Sequence, residues 1–272
     1  DILSEKRVKP SVPFAGKYRI IDKIISALPK KKTLIEPFVG SGAVFLNTEY
    51  ENYILADTNT DLISLYLILQ EHGIEFIRFT ESLFSDTNNH EKVFYELRNE
   101  FNITKDVERK AAIFVYLNRH CFNGLCRYNS KGEFNVPFGR YSKPYFPFQE
   151  MLSFHEKSKN AEFKNQDFRV SMKDAKGDCV VYCDPPYAPL TLTANFSSYT
   201  KNGFNQKDQE DLALLAHDLS KKNIPVVISN HDTVYTRNIY SLAKINNFDV
   251  QRFIASKAAN RIKAAELVAT YG

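Results

Sequence analysis

The run Val180-Val181-Tyr182-Cys183-Asp184-Pro185-Pro186-Tyr187 constrains this chain more than any other feature. It reads as a buried strand that ends in a carboxylate, two prolines and an aromatic ring. In an α/β sheet, ligands collect beyond the carboxyl ends of the strands, which puts Asp184 at the functional edge. The prolines fix the backbone there, so the Asp184 side chain and the Pro185 carbonyl can address one small group. An exocyclic amine has two N–H donors. Paired acceptors would hold it with its lone pair aimed at an incoming electrophile, while a planar ring stacks on Tyr187. Taken alone, the tetrapeptide is also compatible with a plain proline-rich turn.

The surrounding pattern predicts an α/β sheet. Ile20, Ile21, Ile24, Ile25 and Leu28 recur at helical spacing, and Pro29 with three lysines leads into a strand at 33–35. A second buried run at 53–56 precedes Asn59 and a helix carrying Leu62, Ile63, Tyr66 and Leu69. This alternation is the mark of a parallel sheet. Helical patterns at 91–101 and 107–118 lead to an irregular stretch, 119–148, with many glycines and prolines. So long a loop in a compact chain implies a function, and residues 73–148 read as an inserted domain with a hairpin at its tip. Strands are then expected at 162–163, 179–183, 225–229, 248–254 and 266–271, with helices at 205–221 and 234–244. The polar opening segment, 1–11, is expected to be a disordered arm.

Glu36-Pro37-Phe38-Val39-Gly40-Ser41-Gly42 follows the first strand and opens a helix. Glycines in that position admit a nucleoside close to the backbone, and Asp57 ends the next strand, where dinucleotide folds hold ribose hydroxyls. Glu36, Gly40 and Asp57 are therefore candidate cofactor contacts. The cysteines Cys121, Cys126, Cys179 and Cys183 form no C-x-x-C pair and read as reduced thiols, with no metal site expected. No apolar run is long enough to span a membrane and the amino end shows no signal pattern, so a cytoplasmic protein is expected. A net charge of +4 permits a polyanionic partner without requiring one. More telling is where the aromatic residues fall, since many lie among Arg, Lys and Asn in 119–148.

The segments 36–42, Ala56-Asp57, 117–128, 132–145 and Asp184 to Tyr187, in this order, closely resemble the Dam family of adenine-N6 DNA methyltransferases. The resemblance runs from about Lys17 to Tyr271. It is most specific in Phe122-Asn123-Gly124-Leu125-Cys126-Arg127-Tyr128-Asn129 and in Gly132 to Tyr141. It implies a Rossmann-like methyltransferase sheet, 12–72 with 149–272, carrying an inserted, mainly helical target-recognition domain, 73–148, with a β-hairpin. It also implies methyl transfer from S-adenosyl-L-methionine to adenine N6 in duplex DNA at GATC, with the target base flipped out and no obligate protein partner. Such a protein would be cytoplasmic and associated with the nucleoid. By the same resemblance Lys17, Asp57 and Asp184 contact the cofactor, and Asp184, Pro185 and Tyr187 serve catalysis. Phe122, Asn123, Leu125, Arg127, Pro137 and Tyr141 read or intercalate among bases, and Arg119 and Asn135 hold the backbone. Physically, Arg127 or Arg140 can donate twice to a guanine edge, and Phe122 can fill the gap an extruded base leaves. Phe134, Phe138 and Phe146 read instead as core of the insert.

Two stretches depart from the family. Its opening Lys-Trp-Ala-Gly-Gly-Lys run is replaced by Ser11-Val12-Pro13-Phe14-Ala15-Gly16-Lys17, and the chain has no tryptophan. The stretch 256–266 lacks the expected Asn-Gly. The first change predicts poor selection of the guanine that the family's lysine serves. Two other functions fit parts of the sequence: methylation of another exocyclic amine, such as cytosine N4 or an RNA base, and a non-catalytic DNA-binding protein that lost its cofactor.

Overall fold

The computed structural model describes residues 20–189, 203–250 and 264–272. The expected amino-terminal arm lies outside them. The sheet has strand order β3-β2-β1-β4-β5-β7-β6, made from β1 (Thr33–Glu36), β2 (Asn52–Asp57), β3 (Ala161–Asn165), β4 (Cys179–Cys183), β5 (Val226–His231), β6 (Lys244–Val250) and β7 (Ala264–Tyr271). The pairs β1–β2, β1–β4 and β4–β5 are parallel, whereas β7 runs antiparallel to both β5 and β6. After β1 the chain builds outward through β2, then returns to lay β4 on the other side of β1. This reversal is a topological switch point, the place where open α/β sheets leave a crevice for ligands.

Two compact units can be distinguished. The sheet unit comprises 20–39, 48–58 and the described residues from 166 onward. Alternation along its strands sorts side chains by face. Ile35, Val181, Cys183, Val226, Ile228, Leu267 and Ala269 share one core with Phe168 and Met172 of α7 (Phe168–Lys173) and Leu212 and Ala216 of α8 (Gln206–Lys221). The alternate positions, Glu36, Tyr182, Ser229 and Glu266, are buried as well, and the central strands are covered on both faces as parallel sheets require. α1 (Ile21–Ala27) buries Ile21 and Ile24. A capping box starts α8: Asn205 Oδ1 accepts from the Asp208 N–H at 3.2 Å, and Asp208 accepts from the Asn205 N–H at 2.6 Å.

The helical unit comprises 40–47 and 59–165. It contains the single-turn α2 (Ala43–Leu46), α3 (Thr60–Glu81), α4 (Glu91–Ile103), α5 (Val107–His120) and α6 (Phe148–Ser158). Its core is aromatic. Tyr66 stacks on Phe154 at 4.6 Å, Phe101 on Phe114 at 5.8 Å, and Tyr116 on His120 at 3.8 Å. α3 kinks at Gly73, whose φ of 48° is unfavourable for any side chain, and a Cβ there would lie 2.7 Å from the His155 ring.

Four elements differ from the sequence reading. The helix expected at 234–244 is α9 (Val234–Ile239), and Lys244 already belongs to β6. Pairing of Lys244 to Val250 with Thr270 to Ala264 claims residues whose local periodicity is helical. β6 thus starts four residues earlier than expected, and 251–254 lie outside the described residues. α6 and α7 are helices that the sequence reading did not nominate, although Met151, Phe154 and Ser158 of α6 are buried at helical spacing.

Candidate functional site

Acidic residues stand at the carboxyl ends of β1, β2 and β4. Glu36 is the last residue of β1 and is 2% exposed; Asp57 ends β2, and Asp184 follows β4. The register pairs Ile35 with Val181, so Glu36 and Asp184 flank the switch point. Electrostatics carry the same information. The Tyr182 phenol is held well above its ordinary value, first by burial and then by the Asp184 carboxylate, with a smaller push from Glu36. Burial, Asp184 and Glu36, in that order, likewise raise the Cys183 thiol. Both groups stay neutral beside a pair of carboxylates.

The turn after Asp184 is tied down by side chains. Gln209 Nε2 donates to the Pro186 carbonyl at 2.7 Å, and the Ala188 N–H donates to Asn230 Oδ1 at 3.0 Å. His231 Nδ1 lies 2.7 Å from the Ala188 carbonyl; since a carbonyl only accepts, this nitrogen carries the proton. Tyr187 is half-buried, with its hydroxyl donating to Glu266 Oε2 at 3.1 Å and its ring edge-on to His231 at 4.8 Å. One face of the turn is therefore fixed, and Asp184, Pro185 and Tyr187 are brought to a single edge. Beside the other two carboxylates, the Val39 N–H donates to the Ala56 carbonyl at 2.8 Å and the Gln166 N–H to the Asp57 carbonyl at 3.2 Å. These bonds fix the loops next to Glu36 and Asp57. Gly40 falls in the helical unit, where its φ of 47° favours glycine and its carbonyl accepts from the Tyr66 hydroxyl at 2.6 Å. Lys17 lies outside the described residues, as do Val12 and the altered stretch up to 263.

The other candidates lie in the helical unit, on an irregular hairpin between α5 and α6. Its strands meet only in isolated bridges, Cys121 with Phe138 and Tyr128 with Phe134. Side chains complete it. Asn102 of α4 donates to the Phe134 carbonyl at 3.2 Å and accepts from its N–H at 2.8 Å, and Arg98 donates to the Val136 carbonyl at 3.1 Å. At the tip, Asn129 Oδ1 accepts from the N–H groups of Lys131 and Glu133 at 2.9 and 3.0 Å, an Asx turn. Beneath, Phe134 packs on Phe101, Phe138 on Phe94 and Phe146 on Phe84, the core role expected for these rings.

Above that platform, Phe122, Asn123, Leu125, Arg127, Pro137, Arg140 and Tyr141 are exposed. Arg127 donates through Nε to Asn135 Oδ1 at 2.8 Å and through Nη2 to the Asn135 carbonyl at 3.2 Å. Asn135 thereby orients the guanidinium, which has five N–H donors in all. Asn123 and Arg140 both have positive φ, 54° and 56°, a conformation tolerated by asparagine and uncommon for arginine. The Asn123 N–H donates to the Tyr141 hydroxyl at 2.9 Å. Arg140 makes a solvent-exposed ion pair with Glu91 at 3.3 Å, a weak tether. Arg119 is different: it lies over the Tyr145 ring at 5.6 Å, and burial lowers its pKa.

Glu266, Asn230, Gln209 and His231 are site neighbours that the sequence did not nominate. The available signal was polarity in apolar company: Ser229 and Asn230 close the run Val226-Val227-Ile228, and Glu266 opens Leu267-Val268-Ala269.

Residues 15–254 match the family model of D12 class N6 adenine-specific DNA methyltransferases. The chain is 52% identical over 257 residues to the DNA adenine methylase of Serratia marcescens, covering 94% of this chain and 95% of that one. It is 51% identical over 256 residues to the DNA adenine methylase of Escherichia coli K12, covering 94% and 92%. The DNA adenine methylase of Vibrio cholerae El Tor Inaba is 46% identical over 257 residues, covering 94% and 93%.

Proposed function

This chain belongs to the D12 class N6 adenine-specific DNA methyltransferases, and we propose that it methylates the adenine of GATC in duplex DNA, using S-adenosyl-L-methionine and flipping the target base into the edge formed by Asp184 to Tyr187. The observation that carries the reading is the clamped turn itself, with a carboxylate, a carbonyl and a tyrosine ring at the sheet's switch point. The GATC assignment rests on likeness to enzymes named DNA adenine methylase.

The residues present fit the methyl donor. Carboxylates at the paired ends of β1 and β2, Glu36 and Asp57, offer acceptors for an ammonium group and for ribose hydroxyls, and Gly40 suits close backbone approach. When bound, the cofactor would supply an electrophilic methyl group on a sulfonium, whose carbon–sulfur bond breaks as the nitrogen–carbon bond forms, leaving a neutral thioether. The Asp184 carboxylate and the Pro185 carbonyl accept the two amine hydrogens of the adenine, which draws the N6 lone pair out of the ring plane and toward that methyl. Tyr187, held by Glu266 and His231, gives the ring a face to stack on. As the nitrogen–carbon bond forms, Asp184 stabilises the growing positive charge on N6, whose proton then departs to solvent.

Residues 73–148 would be the target-recognition domain and 12–72 with 149–272 the catalytic domain. Arg127 and Arg140 would face guanine edges, while Asn123, Leu125, Pro137 and Tyr141 line the recognition surface. Phe122 would enter the base stack, and Arg119 and Asn135 would hold the DNA backbone. The protein would act alone on DNA in the cytoplasm. Among the described residues, no helix is long and apolar enough to cross a membrane.

The test is transfer of labelled methyl from S-adenosyl-L-methionine to unmethylated duplexes containing GATC or its single-base variants, followed by nucleases that differ in response to GATC methylation. Labelled N6-methyladenine is expected, formed fastest at GATC and more slowly at variants of the guanine that the family's lysine serves. Label in cytosine, or none despite measurable cofactor binding, would overturn the reading.

A further inference from the structure

The turn after β4 faces a problem that its own sequence creates. β5 continues to His231, three residues past Ile228, the partner of Cys183. A ladder between the strands would need N–H donors from the residues after Asp184, and Pro185 and Pro186 have none. Pro185 and Pro186 therefore add no main-chain donor to the backbone that must aim Asp184 and the Pro185 carbonyl.

A chain of buried amides takes over. Asn230, fully buried, accepts through Oδ1 from the N–H groups of Ala188 and His231 at 3.0 and 2.9 Å. Its amide nitrogen donates to Gln209 Oε1 at 3.0 Å and to the Tyr240 hydroxyl at 3.1 Å. Gln209, 1% exposed, turns its own amide nitrogen to the Pro186 carbonyl at 2.7 Å. Each amide has one workable orientation, because Asn230 must present oxygen to two N–H groups and Gln209 must present nitrogen to a carbonyl. The arrangement is directional as well as buried, and burial raises the cost of any mismatch.

We infer that Gln209 and Asn230 are positioning residues for methyl transfer: a relay of side-chain amides that holds the turn where its prolines offer no donor and sets the backbone carrying Asp184, Pro185 and Tyr187. Neither touches the reacting atoms. The inference rests on the catalytic reading of Asp184 to Tyr187 given above, and the experiment separates the two.

Gln209→Glu keeps the size of the side chain and an acceptor for Asn230 but removes the donor to Pro186. Gln209→Met keeps the shape and removes both polar groups, and is made alongside in case one variant does not fold. Each is compared with the parent and with Asp184→Ala in single-turnover methyl transfer at saturating cofactor. Cofactor affinity is read by calorimetry, and base extrusion by the fluorescence of 2-aminopurine placed at the target adenine. The Gln209 variants are expected to transfer methyl about 10- to 100-fold more slowly, the scale of a sub-ångström to one-ångström misplacement. Cofactor affinity and the extrusion signal should stay within about threefold of the parent. A folded Gln209 variant at the parental rate overturns the relay, as does a rate loss matched by an equal loss of cofactor affinity. If Asp184→Ala itself transfers methyl at the parental rate, the catalytic reading fails instead.

Discussion

The turn after β4 and the hairpin between α5 and α6 are both held by side-chain amides, but to opposite ends. In the turn, Gln209 and Asn230 are sealed beneath the backbone they hold, and the residues they position are few and half-buried. In the hairpin, Asn102 and Arg98 hold the backbone from α4 while a row of large side chains stands exposed, Phe122 at 50% and Tyr141 at 41%. Exposed hydrophobic groups on a fixed platform suit a surface that meets a large partner. A group-transfer site needs the reverse, since a reacting atom must be placed to a fraction of an ångström and water kept away. If this contrast is right, damage to the turn should abolish chemistry and spare binding, and damage to the hairpin should alter the choice of site.

The largest effect is expected from Asp184→Ala. Losing a preorganised acceptor that stabilises charge developing in the transition state costs about 10²- to 10³-fold in rate. DNA affinity should remain near that of the parent, as measured by fluorescence anisotropy with an unmethylated GATC duplex. Loss of DNA binding in step with rate would erase the division of labour between the two regions.

Acid should act on the two regions differently. Tyr182 and Cys183 at the catalytic edge are pushed up and stay neutral through the acid range. His120, under the hairpin and 1% exposed, is pushed down by burial to about 4 from an ordinary 6.5. The unfolded chain therefore binds the extra proton between those values. Stability from the neutral ring is full above about pH 6.5 and is lost as pH falls toward 4, by roughly 3 kcal/mol at most. His120→Phe keeps a ring against Tyr116 and Phe84 and should flatten that dependence, as read by urea unfolding at pH 7 and pH 4.5. An unchanged slope would assign the acid sensitivity to other groups.

Asp57→Ala should weaken cofactor binding by about 1.5 to 3 kcal/mol, the worth of hydrogen bonds to a charged acceptor. Calorimetry measures it. Unchanged affinity would leave Asp57 as a residue that only closes β2, and would shift the cofactor reading toward Glu36.

What the sequence disclosed divides along similar lines. β4 was legible to the residue because an apolar run bounded by prolines has one good interpretation, and α8 because Asn205 and Asp208 form its cap locally. The end of α9 was not, since Lys244 goes to a strand only through pairing with Thr270, distant in the chain. The same holds for the site. Asp184, Pro185 and Tyr187 are contiguous and announce themselves, whereas Gln209, Asn230 and Glu266 join them only through the order of β4, β5 and β7 and the packing of α8. The hairpin's support by Asn102 and Arg98, from another helix, was likewise not legible.

The subtlest expected effect concerns sequence choice. Arg127 is exposed, and Asn135 binds it through Nε and one Nη, so its guanidinium is oriented before any partner arrives. An arginine restrained in this way loses little freedom on forming a bidentate contact with the O6 and N7 of guanine, a pairing worth about 1 to 3 kcal/mol of discrimination. Arg127→Ala should relax selectivity at one base pair and leave the other positions of GATC under control. Asn135→Ala, which removes the side-chain half of the restraint, should relax the same position by less. A phosphate-binding arginine would instead weaken all sequences alike and lower the salt dependence of binding. Val12 stands where the resembling family has a base-contacting lysine, and it lies outside the described residues; the parent should already select poorly at the guanine that lysine serves, and Val12→Lys should sharpen it. Methylation rates on GATC and its single-base variants, for the parent and these three substitutions, decide each part. A uniform slowing by Arg127→Ala removes its base-reading role, a parent that rejects every variant sharply removes the argument from Val12, and a relaxed position that differs between Arg127→Ala and Asn135→Ala removes the coupling between them.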